Sequence, residues 1–469
     1  MSTLVMKFGG SAVGTTPALT QVLSIVLHER SRWDRLLLVV SALEGVTDAL
    51  IEAAHLAQLG NRRGYRRIAA TLRTRHLALI EELPLGNTER NALQADIDRL
   101  LFDMLDLCQA MANTTSGKVL DDNVDAVVGV GERLAARIIA ALLRQNKLWS
   151  VAIDTIDIIV TDDVYGNATP NIALTRERIN KHLLPMLERE IVPVITGFIG
   201  GTTTGKPTTL GRGGSDYTAS VLSVCIDADE VWIWADVDGM MSTDPHEVDE
   251  ARVIPALSYD EVAELAYFGA RILHSRMIGP LRQDRIPLRI KNVFKPQEQG
   301  TLIHDLATGR AHALKAVTSI QGLGMTAERS GPLSLLSEIV DETLFNTVGS
   351  HADVMISSQS STHSFVCFVI PTSAGPDAIH TAQMTLDERL RRQPETQSWH
   401  VHPVSIVTVI GAKLDMFPGL IGEIFQTLQD VRVLAVAQGP SRCSLSLVVE
   451  PQEADSALLQ IHNMIINSA

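Results

Sequence analysis

The stretch GFIGGTTTGKPTTLGRGGSDYTAS, Gly197–Ser220, decides how the rest of the chain is read. It follows Ile191-Val192-Pro193-Val194-Ile195, an apolar run of strand length, and passes through Arg212 and Asp216 into a helix-compatible run from Tyr217 to Val224. A glycine-rich turn between a strand and a helix lets backbone N–H groups come close to an anion, and the helix start adds partial positive charge. Phosphate or carboxylate is the natural guest. The plain alternative is a surface loop whose glycines only permit tight turns.

Outward from this loop the chain alternates strands and helices. Leu4-Val5-Met6-Lys7-Phe8 reads as a buried strand, followed by Gly9-Gly10-Ser11-Ala12-Val13-Gly14 and a helix that Thr16 caps and Pro17 opens. Lys7 then lies at the carboxyl end of a strand facing a glycine turn, where ligands sit in open α/β sheets. Leu36–Val40 is a continuous apolar run, as expected of a parallel strand covered on both faces. From Ala49 to Asn113 the pattern is helical, broken at Gly60, Pro84 and Gly86. Trp149–Asp154 is a further strand and Leu174–Glu190 a further helix, and Glu230–Ala235 runs into an acidic turn at Asp236 and Asp238. Ile286–Asn292 and Gly300–Ile303 close the pattern, which is that of a doubly wound sheet.

With 469 residues the chain exceeds one ordinary core, and about three domains are expected. Its 45% hydrophobic and 20% charged residues are a globular balance. A net charge of −14 argues against a nucleic-acid partner, since phosphate backbones are held by clustered Lys and Arg; Arg62–Arg67 reads as a solvated helix face. No apolar run reaches the ~18 residues a membrane helix needs, and Met1–Lys7 has no export signal, so a cytoplasmic protein is expected. The four cysteines, Cys108, Cys225, Cys367 and Cys443, have neither metal-site nor disulfide spacing.

Thr209-Leu210-Gly211-Arg212-Gly213-Gly214-Ser215-Asp216-Tyr217-Thr218-Ala219 resembles the signature loop of the aspartokinases, within the amino-acid kinase superfamily. Lys7–Val13 resembles that family's Lys-Phe-Gly-Gly-Thr-Ser-Val opening, with Ser11 and Ala12 in place of Thr and Ser. Ser41–Asp48 is similar to its Ser-Ala-x-x-Gly-x-Thr-Asn segment, although helix capping would also account for Ser41 and Thr47. Gly131-Glu132 resembles its Gly-Glu at a helix start, although the helix dipole alone favours an acid there. The resemblance implies ATP-dependent phosphorylation of the L-aspartate side chain, with Mg2+ arriving with the nucleotide and no metal site of the protein's own. It implies catalytic roles for Lys7 and Asp216. Ser41, Thr47, Glu132, Arg212 and Ser215 would bind aspartate, Glu132 its α-ammonium and Arg212 its α-carboxylate. Lys7, Gly9, Gly10, Ser11, Ala235, Asp236, Met241, His246 and Arg271 would face the nucleotide. Ala235, Met241 and His246 stand where the family has Thr, Tyr and Arg, which puts nucleotide affinity in question. Arg271 replaces a Lys and keeps its charge, while His274 in the same motif reads as structural.

Beyond the polar segment His304–His312 come two similar units, each a strand, a helix and further strands, resembling paired ACT domains similar to the threonine-sensitive type. The expected fold is therefore α/β: an amino-acid kinase fold, a three-layer α/β/α sandwich with a mostly parallel sheet, followed by two α+β ferredoxin-like ACT domains. The expected boundaries are 1–304 for the kinase domain, 305–314 for a linker, 315–398 for the first ACT domain and 399–469 for the second, with a late strand able to complete the first. Gln438, and Gln359 offset by one, match effector-contacting positions, although polar residues at strand ends are common. The resemblance implies threonine or lysine as effector, a homodimer or homotetramer, and a monofunctional chain without the homoserine dehydrogenase fused to many relatives. The alternatives are a non-catalytic amino-acid sensor and a kinase for another amino-acid carboxylate.

Overall fold

The first strand, Thr3–Phe8, is buried along its whole length, and that burial places it at the centre of a sheet. The structure, a computed structural model, describes residues 1–113, 121–269, 273, 275–305, 314–328, 333–348, 353–370, 378–392, 396 and 398–468. Two compact units emerge, Met1–Met240 with Leu273–Asp305, and Met241–Ile272 with Leu306–Ala469.

In the first unit the strands lie side by side in the order Ser150–Ile153, Val192–Thr196, Arg35–Val40, Thr3–Phe8, Glu230–Ala235, Leu288–Asn292 and Thr301–Ile303. All neighbours are parallel except the last pair. Strand order reverses at Thr3–Phe8, from which the chain builds first to one side and later to the other. One face, carrying Leu4, Met6, Phe8, Leu36, Leu38 and Val40, buries against helices Thr16–Arg30, Val46–Gln58, Asn87–Asn113 and Val130–Gln145. The helix Gly214–Cys225 packs on the strands from the opposite side, with Ser275–Asp284 against it. A smaller sheet of Val160–Thr161, Ile199–Thr202 and Pro207–Thr209 carries the glycine-rich loop.

Local chemistry moves some boundaries from their expected places. Thr15, one residue earlier than expected, caps the helix Thr16–Arg30 by accepting from the Ala18 N–H at 3.3 Å. Helix Val46–Gln58 starts at Gly45 in a left-handed conformation, φ 73°, with no side-chain cap, so neither Ser41 nor Thr47 caps it. The helix expected over Leu174–Glu190 begins at Ile172, capped by Asn171, and ends at His182, ahead of a short turn Leu184–Leu187 that contains Pro185.

In the second unit a six-stranded antiparallel sheet runs in the order Asp353–Gln359, Ser364–Val369, Leu314–Ala327, Trp399–Gly411, Ser444–Val449 and Val433–Gln438. The two central strands are far longer than the runs Val317–Ile320 and Val404–Ile410 suggest, because each pairs on both sides. Leu323, Met325 and Val401 join helices Leu333–Val348 and Ala378–Arg391 in one core. Val317, Val407 and Val409, from the other halves of the same strands, join helices Pro418–Thr427 and Ala454–Ser468 in a second. Each core thus takes half of each long strand. On the other face Ile320, Ile356, Val404 and Ile406 pack with Phe268.

The segment Met241–Ile272 belongs to this unit and is held there by a buried ion pair. Ser258 and Glu261 form a reciprocal cap on helix Tyr259–Tyr267. The same Glu261 carboxylate accepts from Lys315 Nζ at 2.7 Å, with Glu261 fully buried and Lys315 nearly so. Glu261→Ala would leave Lys315 buried without its counter-charge and is expected to lower the stability of this unit by about 3 kcal/mol. Lys315→Met, which keeps the apolar stem, is expected to cost less than Lys315→Ala. Thermal and urea unfolding of the variants checks both.

Candidate active site

Parallel pairing puts the carboxyl ends of the central strands at one level, and backbone hydrogen bonds hold them together there. Gly9 N–H donates to Trp234 C=O at 3.1 Å, Ser41 N–H to Phe8 C=O at 3.1 Å, and Gly197 N–H to Val40 C=O at 2.9 Å. The residues that follow, Gly9–Ser11, Ser41–Ala42, Gly197 and Asp236, therefore emerge beside the strand where the order reverses, the place where open α/β sheets bind ligands.

Lys7 and Asp216 meet here, Nζ to Oδ1 at 2.6 Å, both largely buried. The contact is an ion pair rather than an aligned hydrogen bond, since that oxygen has no hydrogen-bond partner of good geometry. Gly9 lies beside the pair: a Cβ there would sit 3.7 Å from Lys7 Nζ. Gly213, at φ 70°, turns the chain into helix Gly214–Cys225, whose first turn carries Ser215 and Asp216. Ser215 is nearly buried against Gly197, where a Cβ would approach the hydroxyl to 2.6 Å, so this position requires glycine. Arg212, at the tip of the loop, is exposed and has no ion-pair partner among the described residues.

Glu132 occupies the first turn of helix Val130–Gln145 and is 3% exposed. One carboxylate oxygen accepts from the Ala42 N–H at 3.2 Å, next to Ser41; the other has no partner. Burial pushes its pKa up to about 8, outweighing the backbone N–H groups of Ala42 and of Glu132 itself, which pull it down. A buried carboxyl with one oxygen unpartnered can receive a cation, whose arrival would favour the ionised form. Ser41 and Thr47 are half-buried, and Thr47 stands in the first turn of helix Val46–Gln58.

On the other side of the central strand, Ala235 ends its strand and Asp236 is exposed. Asn292 donates to Asp238 at 2.6 Å, and Lys295 pairs with the same carboxylate at 2.6 Å, holding it below the usual carboxylate range. Met241 and His246 fall in the second unit, where Met241 bridges to Val253 and His246 is exposed. Arg271 and His274 lie outside the described residues. Gln438 and Gln359 end edge strands, both exposed, with Gln359 donating to the Ser364 hydroxyl at 3.3 Å. Among the described residues no three His, Cys, Asp or Glu side chains cluster as a metal site, and the four cysteines are free and buried.

The amino acid kinase family profile matches residues 2–292, and an ACT domain profile matches residues 407–464. The chain belongs to the amino acid kinase family. It is 30% identical to the bifunctional aspartokinase/homoserine dehydrogenase of Daucus carota chloroplasts over 97% of its own length and 50% of that protein. It thus spans about half the length of the curated relatives it matches first. It is 29% identical to the lysine-sensitive aspartokinase 3 of Escherichia coli over 98% of both chains. Crystal structures of E. coli aspartokinase III superpose over 98% of this chain and 99% of theirs. The complex with aspartate and ADP gives a TM-score of 0.75 at 27% identity, and the complex with lysine and aspartate 0.80 at 26%.

Two residues of this amino acid kinase escaped the motif reading. Asp125, 3% exposed, accepts from the Thr209 N–H at 2.7 Å, the Thr209 hydroxyl at 3.0 Å and the Gly166 N–H at 2.9 Å. Arg276 donates to Leu210 C=O at 2.6 Å and lies over the Tyr217 ring at 4.8 Å. An acid inside the apolar run Val124–Val128 was the available signal for Asp125; an Arg just past the His274 motif gave none.

The raised pKa of Glu132 makes a prediction with a definite sign. In the unfolded chain this carboxyl ionises near 4.5, whereas in the folded protein it stays protonated to about 8. Between those values the folded state binds the extra proton, so the Glu132 contribution to stability falls as pH rises, by at most about 1.4 kcal/mol per pH unit. Glu132→Gln, which cannot ionise, is expected to match the wild type near pH 4.5 and to become progressively more stable than it toward pH 8. Unfolding curves across that range give the slope.

Proposed function

We propose that this chain is an aspartate kinase: it transfers the γ-phosphoryl group of MgATP to the side-chain carboxylate of L-aspartate, giving 4-phospho-L-aspartate and ADP. The reaction is the first committed to lysine, threonine and methionine. The observation that carries this reading is the bare, buried oxygen of Glu132, an ammonium acceptor, in a chain whose Gly-Arg-Gly-Gly-Ser-Asp loop presents Arg212 for a carboxylate. A ligand with both an α-ammonium and an α-carboxylate satisfies the two together.

The nucleophile is a carboxylate, already ionised at neutral pH, so no general base is required. Its oxygen bonds to the γ-phosphorus as the bond from that phosphorus to the β,γ-bridging oxygen breaks, and the electron pair leaves on ADP. The obstacle is repulsion between anions, and catalysis is positioning and charge stabilisation. Lys7 leaves its pairing with Asp216 to take the transferring phosphoryl group, with the Gly10 amide beside it; the Gly9 N–H is engaged by Trp234 C=O, and Gly9 serves by its lack of a side chain next to Lys7. Ser41, Thr47 and Ser215 orient the side-chain carboxylate. Asp216 and Asp236 would position the magnesium that arrives with the nucleotide, an ion that would neutralise charge on the phosphates. Glu132 gives up its proton when the ammonium arrives. An amino-acid effector, lysine or threonine, acts through the ACT domains with Gln438 and Gln359 at the edge strands, in a cytoplasmic homodimer or homotetramer.

Ala235, Met241 and His246 favour a second reading, an amino-acid sensor with little turnover, because the family's Thr, Tyr and Arg at these places are missing. A coupled assay of ADP release with L-aspartate, L-glutamate and N-acetyl-L-glutamate separates the readings. Release with aspartate alone is expected, and its absence at saturating ATP would favour the sensor. Lys7→Ala is expected to lower kcat about 100- to 1000-fold with the fold retained. Arg212→Ala is expected to raise the aspartate KM roughly 100-fold and leave that for ATP within about twofold. An unchanged aspartate KM in that variant removes Arg212 from the substrate. Titration of lysine and threonine against the active enzyme identifies the effector.

A further inference from the structure

The loop that presents Arg212 is rich in glycine and exposed at its tip, so a guanidinium carried there keeps its place only if the base of the loop is fixed. Two polar groups fix it. Arg276 holds one side: its guanidinium donates to Leu210 C=O at 2.6 Å, to Asn167 Oδ1 at 2.6 Å and to Ala168 C=O at 3.2 Å. Asp125 holds the other. Its carboxylate gathers three donors, the Thr209 N–H, the Thr209 hydroxyl and the Gly166 N–H. Only a group with several acceptor lone pairs can serve three donors at once.

The place of Asp125 in the chain gives this cluster a second meaning. It lies on helix Asp121–Val128, and its own carbonyl accepts from the Gly129 N–H at 3.0 Å, closing the turn from which Val130–Gln145 starts. Glu132 is in the first turn of that second helix. One residue therefore binds the base of the Arg212 loop with its side chain and the Glu132 turn with its main chain.

We propose that Asp125 is a positioning residue for the amino-acid substrate, fixing the separation between Arg212 and Glu132 so that one ligand bridges carboxylate and ammonium sites together. The inference rests on the aspartate reading above. The Asp125 carboxylate is engaged by Thr209 and Gly166, so its effect passes through the base of the loop; the main-chain bond to Gly129 is made whatever the side chain and keeps the Glu132 turn in step with position 125. Loss of the carboxylate frees the Arg212 loop and weakens aspartate, while the Lys7 side of the site, built on another strand, keeps its hold on ATP.

The test is steady-state kinetics on the full chain with both substrates varied. Asp125→Ala is expected to raise the aspartate KM about tenfold or more, with the ATP KM within about twofold. Asp125→Asn is expected to recover most of the loss, because its amide oxygen accepts both N–H groups while its NH2 donates to the Thr209 hydroxyl. Thr209→Val, which deletes a single donor and keeps the shape, is expected to raise the aspartate KM about threefold, and it carries the test if Asp125→Ala does not fold. A role confined to stability predicts something else: lower unfolding temperatures or less active enzyme, with both KM values unchanged. That result overturns the proposal. A wild type that releases no ADP with aspartate overturns the substrate reading and this inference with it. An active wild type, together with Asp125→Ala and Thr209→Val at the wild-type aspartate KM, overturns the inference alone.

Discussion

The candidate site depends on one backbone constraint, the parallel ladder that holds the carboxyl ends of the strands at a common level. Because Gly9, Ser41 and Gly197 each donate to the last residues of a neighbouring strand, the segments after four strands enter one crevice without needing side-chain contacts to bring them there. Strand order reverses at Thr3–Phe8, so helices leave that crevice free on both sides. Remote stretches of sequence, from Lys7 to Asp236, become neighbours through this pairing alone.

On that frame the charges of the site are left in a tense arrangement. Lys7 and Asp216 neutralise each other, Glu132 is buried with a bare oxygen and a raised pKa, and Arg212 stands in solvent. Each of these states is one that a zwitterionic substrate and a polyphosphate would relieve. A buried carboxylate that is costly to ionise alone becomes a good partner for an ammonium, and a solvated guanidinium keeps its fork open for a carboxylate. The cost of holding Glu132 in this form is borne by the large apolar core around its helix.

The second unit solves a different problem. Its two long strands serve two cores at once, Leu323 and Val401 in one and Val317 and Val409 in the other. Two small modules that would each have little core alone are thereby joined in one sheet. The buried Glu261–Lys315 pair ties the segment Met241–Ile272 into the same structure.

The amino-acid sequence by itself determined the local grammar: the apolar runs that become buried strands, the glycine turns after them, the helices interrupted at Gly60 and Pro84, and the motif residues Lys7, Glu132, Arg212 and Asp216. These are legible because period, turn chemistry and short motifs are properties of neighbouring residues. What only the tertiary structure decided is partnership. Nothing in a linear reading joins Asp125 to Thr209, Arg276 to Leu210 or Lys315 to Glu261, since each pair is brought together by the packing of elements far apart in the chain. The lengths of the two shared strands are of the same kind, set by the partners on either side of them, as is the raised pKa of Glu132, which follows from its burial by the surrounding elements rather than from its residue type.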